Sequence, residues 1–322
     1  MLPAVTIEAD VELAAGFVLG AEARCVGPLA HGNINRVFEV EAAGRAFVLK
    51  VFAFAGWPEE GKLPWVETRL TEHGVAHARL IHYTRGAEFF PHGFSLSERV
   101  AGANCKQAIR DGRLDRFAYL ELAGRYLRGV HAVGPPRYGY LGDGRGTLDD
   151  YVGWVVGNEL EDRARELEGA PGVAPDSCAR AARRVEKLLR RFEDRFRPSL
   201  VHADATPKNA LLDDAGRFVL VDWDEALAAP WVWDYTHLAY WHSYMLPRGG
   251  LAPRDVARVR AAFFRGRGAP EFDDRELDAL ELAMHTVEAL DILSFQLRRG
   301  DAEEYAHARA LLTRLLDAPL PR

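Results

Sequence analysis

The sequence predicts an α+β fold with a small β-rich N-terminal lobe in residues 1–100 and a large helical C-terminal lobe in residues 103–322. Two observations support this division. Short runs of β-branched and aromatic residues are concentrated before Gly102, and apolar residues recur at helical spacing after it. A chain of 322 residues, 48% of them hydrophobic and 27% charged, is also long enough to bury a large core.

The small lobe is predicted to contain a β-hairpin, a helix and two further strands. Proline is tolerated in the first turn of a helix and glycine favours the position after its last residue, so these residue types bound the helix. The predicted segments are the hairpin strands Arg36–Val40 and Ala46–Val51, a helix that begins near Pro58 or Pro64 and ends at Gly74, and the strands Ala78–His82 and Gly93–Val100.

The large lobe is predicted to be mainly helical, with two short strands around a polar loop. Its clearest helix, Cys178–Phe196, has its apolar residues on one stripe and arginines on the other faces. A second helix spans Leu114–Val133, and helices resume from about Pro230. The apolar strands Ser199–Val201 and Arg217–Val221 flank the polar loop.

The composition argues against several classes of protein. The cysteines are widely spaced and form no C-x-x-C pair, which predicts neither a disulfide framework nor a zinc site. Because the N-terminus lacks the pattern of a signal peptide and no apolar run approaches the roughly 20 residues of a membrane helix, we expect a cytoplasmic protein without a membrane partner. A net charge of −6 argues against nucleic acid as a partner. We expect a monomer or a homodimer.

The polar loop carries the residues that indicate chemistry. It contains Asp204, with Asn209 five positions later and Asp222 at the end of the next strand. Phosphoryl transfer needs a group that accepts the proton of the attacking hydroxyl, and divalent cations that neutralise phosphate charge. Mg²⁺ prefers oxygen ligands and retains several waters, so one carboxylate and one amide from the protein are enough. These three residues supply the required set.

The loop and the strand after it resemble the signature of the aminoglycoside phosphotransferase and choline kinase superfamily, which has a D-W pair where protein kinases have D-F-G. The matching residues here are His202-Ala203-Asp204, Asn209 and Asp222-Trp223. The resemblance implies a bilobal protein-kinase-like fold with ATP and Mg²⁺ as cofactors. It also implies that Asp204 is the catalytic base and that Asn209 and Asp222 bind magnesium.

Parts of the small lobe resemble the nucleotide-binding elements of the same family. Gly32 and Asn35 belong to a segment that resembles its nucleotide loop, and Lys50 matches the strand lysine that binds the α and β phosphates. A helix glutamate should pair with this lysine and hold it toward the phosphates. Glu67 is the predicted partner, and Glu60 is the alternative because the start of the helix is left open.

The segment from residue 94 to residue 102 resembles the hinge between the lobes of this family. It begins as an apolar strand and ends in a polar linker, with the hinge itself at about residues 98–102. The resemblance implies that main-chain groups near Glu98 and Val100 form hydrogen bonds with the adenine base.

The phosphate acceptor is expected to be a small, hydroxylated and cationic molecule. Aminoglycosides carry several ammonium groups, which favour a cleft lined with carboxylates. Candidate acceptor contacts are two acidic residues directly after the metal-binding strand and two that lie three positions apart on one face of a predicted helix: Asp224, Glu225, Glu288 and Asp291. For the helical pair, a solvent-facing position is the alternative.

Four further residues bear on the loop and on the subfamily. His202 is expected to fix the loop through hydrogen bonds of its ring, and Asp234 is expected to be a helix N-cap or a structural partner of the loop. Ala203 stands where glycine is commoner, as in the hygromycin kinases, and Asp224 follows the D-W pair. These two departures leave the subfamily open.

The expected activity is phosphorylation of a hydroxyl group of an aminoglycoside or related amino sugar. One alternative keeps the fold and changes the acceptor to homoserine, choline, a hexosamine or another metabolite. Another is a kinase-like binding module without catalytic activity.

Overall fold

The computed structural model describes residues 7–31, 34–142, 146–213, 215–245 and 253–321, which form an α+β fold as predicted. The chain divides into two compact units. The first unit comprises Met1–Ala108, Leu141–Gly144 and Pro207–Glu225, and the second comprises Ile109–Tyr140, Arg145–Thr206 and Ala226–Arg322. The first unit therefore also contains residues 207–225, which the sequence alone placed with the helical lobe.

Helices and strands follow one another along the chain with short connections. In chain order they are α1 (Ile7–Leu19), β1 (Ala23–His31), β2 (Arg36–Ala42), β3 (Arg45–Val51), α2 (Lys62–Glu72), β4 (Leu80–Thr84), β5 (Phe94–Glu98), β6 (Ala103–Asn104), α3 (Cys105–Arg110), α4 (Arg116–Val130), β7 (Gly139–Tyr140), α5 (Tyr151–Trp154), α6 (Glu161–Glu166), α7 (Ser177–Leu189), β8 (Ser199–Val201), β9 (Ala210–Leu212), β10 (Phe218–Leu220), β11 (Leu227–Ala229), α8 (Val232–Tyr240), α9 (Pro253–Arg267), α10 (Asp274–Arg299) and α11 (Ala302–Asp317).

The first unit contains a five-stranded sheet in the order β1-β2-β3-β5-β4, with antiparallel neighbours throughout. The pairing of β2 with β3 confirms the predicted hairpin. Its turn residues Ala43 and Gly44 have φ values of 48° and 73°, a combination that matches the twist of the two strands. Every second residue of β3 is buried, so Phe47 and Leu49 contribute to the apolar core with α1, whereas Lys50 lies on the opposite face.

A smaller sheet in the first unit holds the segment with the predicted metal ligands. Its strand order is β10-β9-β6, and β9 and β10 form a tight antiparallel hairpin. The sequence predicted β10 but left β9 in the polar loop. Ala210-Leu211-Leu212 contains no β-branched or aromatic residue, so its strand is stabilised by pairing with both neighbours rather than by intrinsic preference.

The second unit combines a small sheet with most of the helices. The sheet has the antiparallel order β7-β11-β8, which places the end of β8, and the loop after it, beside β11. Helix α8 is buried along its whole length, and fifteen residues of α10 are buried as well. The side chain of Asp273 caps the first turn of α10, and Gly300, with a φ of 70°, ends the helix.

Two glycines set the close packing of α4 against α9. A β-carbon on Gly124 would lie 2.3 Å from the carbonyl oxygen of Phe263, and one on Gly266 would lie 1.9 Å from that of Glu121. Only glycine permits the two backbones to approach this closely. The predicted helix Leu114–Val133 thus exists as the shorter α4, fixed against a partner helix.

None of the helices in the described ranges has the length and apolar character that would let it cross a membrane.

Candidate active site

The two predicted magnesium ligands lie at the open end of the β9–β10 hairpin. Asn209 ends a 3₁₀ turn directly before β9, and Asp222 follows β10 by two residues. The main-chain N–H of Val221 donates to the main-chain oxygen of Asn209 at 2.9 Å, which brings the two chain segments side by side. Asp222 has a φ of 69°, a conformation that aspartate tolerates better than bulky residues do.

Lys50 connects β3 to this hairpin through two carboxylates. Its Nζ atom lies 2.5 Å from Oδ1 of Asp222 and 2.8 Å from Oδ1 of Asp224. Burial by itself would lower the pKa of Lys50, but the charges and hydrogen bonds of the two aspartates outweigh burial and raise the pKa above its ordinary value. Lys50 is therefore a fixed cation next to the carboxylate predicted to bind magnesium.

Asn35 joins the same cluster from the chain before β2. Its Nδ2 atom donates to Oδ2 of Asp224 at 2.7 Å, and its Oδ1 atom accepts from the main-chain N–H of Ala53 at 3.0 Å. Asn35, predicted to bind nucleotide, is thus brought next to Lys50 and Asp222. The companion prediction, Gly32, lies outside the described residues.

The predicted glutamate partner of Lys50 is not found. Glu67 forms an ion pair with Nε2 of His77 at 2.9 Å, and α2 begins at Lys62, so Glu60 precedes the helix. The two carboxylates that contact Lys50 come from the turn after β10.

The prediction that Asp224 faces the acceptor is also wrong, because Asp224 contacts Lys50 and Asn35 instead. Its side chain is only 6% exposed, and both of its carboxylate oxygens accept hydrogen bonds, one from Lys50 and one from Asn35. Burial raises the pKa of Asp224, and Lys50 opposes that increase. Asp224 therefore holds the lysine, which is the role that the sequence had assigned to a helix glutamate.

A buried lysine that the sequence did not single out supports this turn. The Nζ atom of Lys62 donates to the main-chain oxygen of Asp224 at 2.8 Å, forms an ion pair with Glu59 and lies 4.1 Å from the ring centroid of Trp57. Lys62 is fully buried, and burial lowers its pKa. The first residue of α2 thereby fixes the main chain close to Asp222, the predicted magnesium ligand.

Replacement of Lys62 by methionine is expected to destabilise the fold, because Glu59 would lose its cation and the oxygen of Asp224 would lose a donor. The expected decrease in the free energy of unfolding is about 3 kcal/mol, measured by urea denaturation. Lys187→Met, on an exposed position of α7, is the matched control and should change stability by less than about 0.5 kcal/mol. Equal stability of the two variants would contradict the supporting role of Lys62.

The loop around Asp204 is held by a buried aspartate of the second unit. Asp234 accepts the main-chain N–H groups of His202 at 3.0 Å and Ala203 at 2.8 Å, and its Oδ2 atom also lies 3.0 Å from Nε2 of His131. Burial would raise the pKa of Asp234, but His131 and the other donors outweigh burial and hold the pKa below its usual range. Of the two roles predicted for Asp234, the structure shows the loop partner, since Trp231 is the N-cap of α8.

Two more contacts fix the same loop. The hydroxyl group of Tyr119 on α4 donates to the main-chain oxygen of Ala205 at 2.6 Å. The main-chain N–H of Asp204 donates to Nδ1 of His202 at 3.3 Å, so the ring of this histidine is used for structure, as predicted. The loop therefore has little freedom, which a positioned general base requires.

The Asp204 side chain is partly exposed, and its contacts include Thr206 and His237. Its Oδ1 atom accepts from the hydroxyl group of Thr206 at 3.1 Å and lies 3.7 Å from Nε2 of His237. No sequence motif indicated His237, which lies one helical turn after Asp234 on α8. Its position three residues after Asp234, a predicted partner of the Asp204 loop, was the available indication that it lies near that loop.

Ala203 adopts a left-handed conformation, with a φ of 60°. This conformation costs a residue with a β-carbon roughly 1–2 kcal/mol. Glycine avoids that cost but loses more chain entropy on folding, so about half of the cost would be recovered. We expect Ala203→Gly to raise the free energy of unfolding by about 0.5 kcal/mol without loss of activity. Ala205→Gly, two positions later and without positive φ, should lower it. Urea denaturation measures both, and destabilisation by Ala203→Gly would show that the loop is not strained there.

The remaining predicted acceptor carboxylates lie in different surroundings. Glu288 contacts Nδ1 of His237 at 2.8 Å, and Asp291 contacts Nε of Arg163 at 2.6 Å. The solvent-facing alternative is therefore wrong for Glu288, whose side chain is 12% exposed. Glu225 is half-buried in the 3₁₀ turn after Asp222.

The predicted hinge follows β5. The main-chain N–H of Glu98 donates to the oxygen of Arg79 at 2.8 Å, and its side chain pairs with Arg45. Val100 is half-buried just beyond the strand. Glu98 is the last residue of β5, and the adenine contact stays a prediction.

The donor atoms at the hairpin fit a magnesium ion. Asn209 and Asp222 offer an amide and a carboxylate oxygen, both hard ligands, and the side chain of Asp222 is 45% exposed, which leaves room for the waters that Mg²⁺ retains. No group of three or more histidine, cysteine, aspartate or glutamate side chains suited to a metal occurs in the described part of the chain. That finding does not bear on a site built from one carboxylate and one amide.

Comparisons with known proteins identify the family of this chain. The model of the phosphotransferase enzyme family matches residues 26–281. Aminoglycoside phosphotransferase APH(4)-Ia is similar in structure, with 18% sequence identity and a TM-score of 0.68 over 96% of this chain and 99% of that chain. A thermostable mutant of the same enzyme, in a ternary complex with AMP-PNP and hygromycin B, has 17% identity and a TM-score of 0.64 over 95% and 98%.

A third solved structure is a protein from Haemophilus somnus that is assigned as a fructosamine-3-kinase. It has 10% identity and a TM-score of 0.63 over 95% of this chain and 96% of that chain. No curated protein matches. At these identities the structures establish the fold, and they confirm the predicted fold class.

Proposed function

Because the chain belongs to the phosphotransferase enzyme family, we propose that it transfers the γ-phosphoryl group of ATP to a hydroxyl group of an aminoglycoside or related amino sugar. The observation that carries this proposal is the cluster of Lys50 with Asp222 at the open end of the β9–β10 hairpin. A lysine next to a metal-binding carboxylate is the arrangement that phosphoryl transfer from a nucleotide requires.

The nucleotide is assigned to residues of the first unit. Lys50 contacts the α and β phosphates, and Asn35 and Asp224 keep its ammonium group in place. Main-chain groups near Glu98 and Val100 bind the adenine base. Gly32 is proposed for the phosphate loop on the basis of the sequence alone.

Asn209 and Asp222 are the proposed magnesium ligands. When bound, Mg²⁺ neutralises charge on the phosphate oxygens. The protein's own contribution is to fix the two oxygens on adjoining ends of one hairpin, through the hydrogen bond from Val221 to Asn209.

Asp204 is the proposed general base. Its carboxylate accepts the proton of the acceptor hydroxyl while the hydroxyl oxygen forms a bond to the γ phosphorus. The bond from that phosphorus to the β–γ bridging oxygen breaks, and ADP leaves with the electron pair. The anchors of the loop, Asp234 and Tyr119, keep the carboxylate in position during this step.

The acceptor class is supported by the structural relatives, which include an aminoglycoside phosphotransferase in complex with hygromycin B. Glu225, Glu288 and Asp291 are the remaining acceptor contacts predicted from the sequence. We retain Glu225 and Asp291 as proposed contacts. Glu288 has a different partner, His237.

A second candidate acceptor is a sugar-derived amine of metabolism. The similarity to a protein assigned as a fructosamine-3-kinase supports it, since such a substrate also combines hydroxyl groups with an amine. In either case the free thiols of Cys25, Cys105 and Cys178 fit a cytoplasmic protein.

A screen for ADP release tests the proposal. We expect ADP to be released with at least one aminoglycoside, such as hygromycin B or kanamycin, and labelled phosphate to appear on the drug. EDTA should abolish transfer, and excess Mg²⁺ should restore it. Phosphorylation of fructosamines without phosphorylation of any aminoglycoside would favour the second candidate. No transfer to either class would contradict both.

A further inference from the structure

His237 lies between two carboxylates in the second unit. Its Nδ1 atom is 2.8 Å from Oε1 of Glu288 on α10, and its Nε2 atom is 3.7 Å from Oδ1 of Asp204 in the loop after β8. The histidine side chain is 9% exposed. One ring nitrogen therefore lies close to the proposed base, and the other contacts a second acid. The proposed reaction assigns no role to this histidine.

The surroundings of the ring favour its charged form. Burial by itself would lower the pKa of His237, but Glu288 and Asp204 outweigh burial and raise it to about 10. These two acids are the charged groups that raise the pKa of the ring, and the Trp241 ring lies beside it with a centroid distance of 6.1 Å. At neutral pH the ring is therefore an imidazolium between two acids.

We propose that His237 is a positioning residue: held by Glu288, it keeps the carboxylate of Asp204 ionised and oriented. This inference rests on the proposed function, in which Asp204 accepts the acceptor proton. A neighbouring cation stabilises the ionised form of a carboxyl group and lowers its pKa by about 1–3 units. The ring donates a proton to neither acid during turnover. Its effect is to preserve the form of Asp204 that can act as a base.

The consequence for pH dependence follows from the sign of that interaction. Activity needs ionised Asp204, so it is lost as pH falls through the pKa of this group. Without the imidazolium that pKa is higher, and the acid limb of the kcat/KM profile moves up. We expect His237→Gln to move the acid limb up by about 1–3 pH units, with the Kd of ATP unchanged. An acid limb at the wild-type position would overturn the proposal.

Glu288→Gln tests the other half of the arrangement. It retains the ring but removes the acid that holds it, so the pKa of His237 falls. We therefore expect the pKa of His237, followed by ¹⁵N NMR, to be lower in this variant than in the wild type. An unchanged pKa of His237 would contradict the role of Glu288.

His285→Gln is the matched control for the loss of a buried imidazole. His285 lies on α10, one turn before Glu288, and its ring packs on Tyr240 and Tyr244. Its replacement is expected to cost similar stability, yet it removes no charge next to Asp204, because burial lowers the pKa of His285 to about 3. Its pH profile should match that of the wild type, and a profile shifted like that of His237→Gln would show that any packing defect produces the effect.

A measurement without turnover separates this inference from the proposed function. In protein with ¹⁵N-labelled histidine, both ring nitrogens of His237 should remain protonated at pH 8. Because coupling is reciprocal, Asp204→Asn should lower the pKa of His237 by the amount that the imidazolium lowers that of Asp204. If no acceptor is phosphorylated but this coupling is present, the proposed function fails and the interaction stands. A neutral ring at pH 7, or a pKa unaffected by Asp204→Asn, would overturn the inference whatever the activity.

Discussion

Asp204→Asn is expected to lower kcat for phosphoryl transfer by about 10²–10⁴-fold, the usual contribution of a general base. The amide has nearly the same shape as the carboxylate and can still contact Thr206, but it does not accept a proton from the acceptor hydroxyl. Nucleotide binding is assigned to other residues, so the Kd of ATP should be unchanged. Steady-state kinetics and calorimetry measure the two quantities separately.

The control for this variant is Asp149→Asn. Asp149 pairs with Arg137, and its side chain is 82% exposed, so its charge has no role in the proposed site. Its kcat should equal that of the wild type. A kcat of Asp204→Asn near the wild-type value would remove Asp204 from the mechanism, and a parallel loss of ATP binding would indicate a folding defect instead.

Asp234→Asn is expected to cause the largest loss of stability, about 3–5 kcal/mol in the free energy of unfolding. The carboxylate receives two main-chain N–H groups and the ring of His131, and it is fully buried. An asparagine in this position has one acceptor oxygen and would direct its NH₂ group at a donor. Because the same contacts hold the loop, kcat should fall as well. Urea denaturation and kinetics are the measurements.

The stability difference should also depend on pH. The folded pKa of Asp234 is depressed, so its contribution is fully present above the unfolded value of about 3.9 and is lost as pH falls through the lower folded pKa. The difference between wild type and Asp234→Asn should therefore shrink at acidic pH. Asp278→Asn, an exposed partner of Arg260, is the control and should cost less than about 1 kcal/mol at any pH. Equal effects of the two variants would contradict a buried anchor at Asp234.

Local patterns were enough to predict much of the fold. The hairpin β2–β3, the helical second part of the chain and the β10 strand follow from alternation, helical spacing and turn residues, which act over a few positions. The candidate site was also recognisable, because Asp204, Asn209 and Asp222, with their side-chain oxygens, lie within one short stretch of sequence.

Contacts between distant positions could not be predicted in the same way. Lys62 and the oxygen of Asp224 are 162 positions apart, and no local pattern indicates that a lysine at the start of a helix will be buried against that turn. The partners of Lys50 were missed because Asp222 and Asp224 are also distant in sequence. Local spacing predicted that Glu67 lies on a helix, but its side chain contacts His77. His237 and Glu288 are also separated by 51 positions.

Helix α1 was missed for a different reason. Its apolar and small residues are interrupted by Glu8, Asp10 and Glu12 and show only a weak helical periodicity. Its buried face is shown by packing in the core cluster that contains Phe38 and Phe47. In such a segment, tertiary contacts decide which face of the helix is buried, because the local sequence pattern does not.

The most direct test of the account is a phosphorus NMR experiment on the protein with Mg-ATP and an aminoglycoside acceptor. If the γ-phosphoryl group is transferred to the acceptor, we expect its signal in ATP to be replaced by that of a phosphomonoester, with one ADP formed for each ester. ATP that stays intact, or ADP formed only together with inorganic phosphate for every acceptor offered, would contradict it.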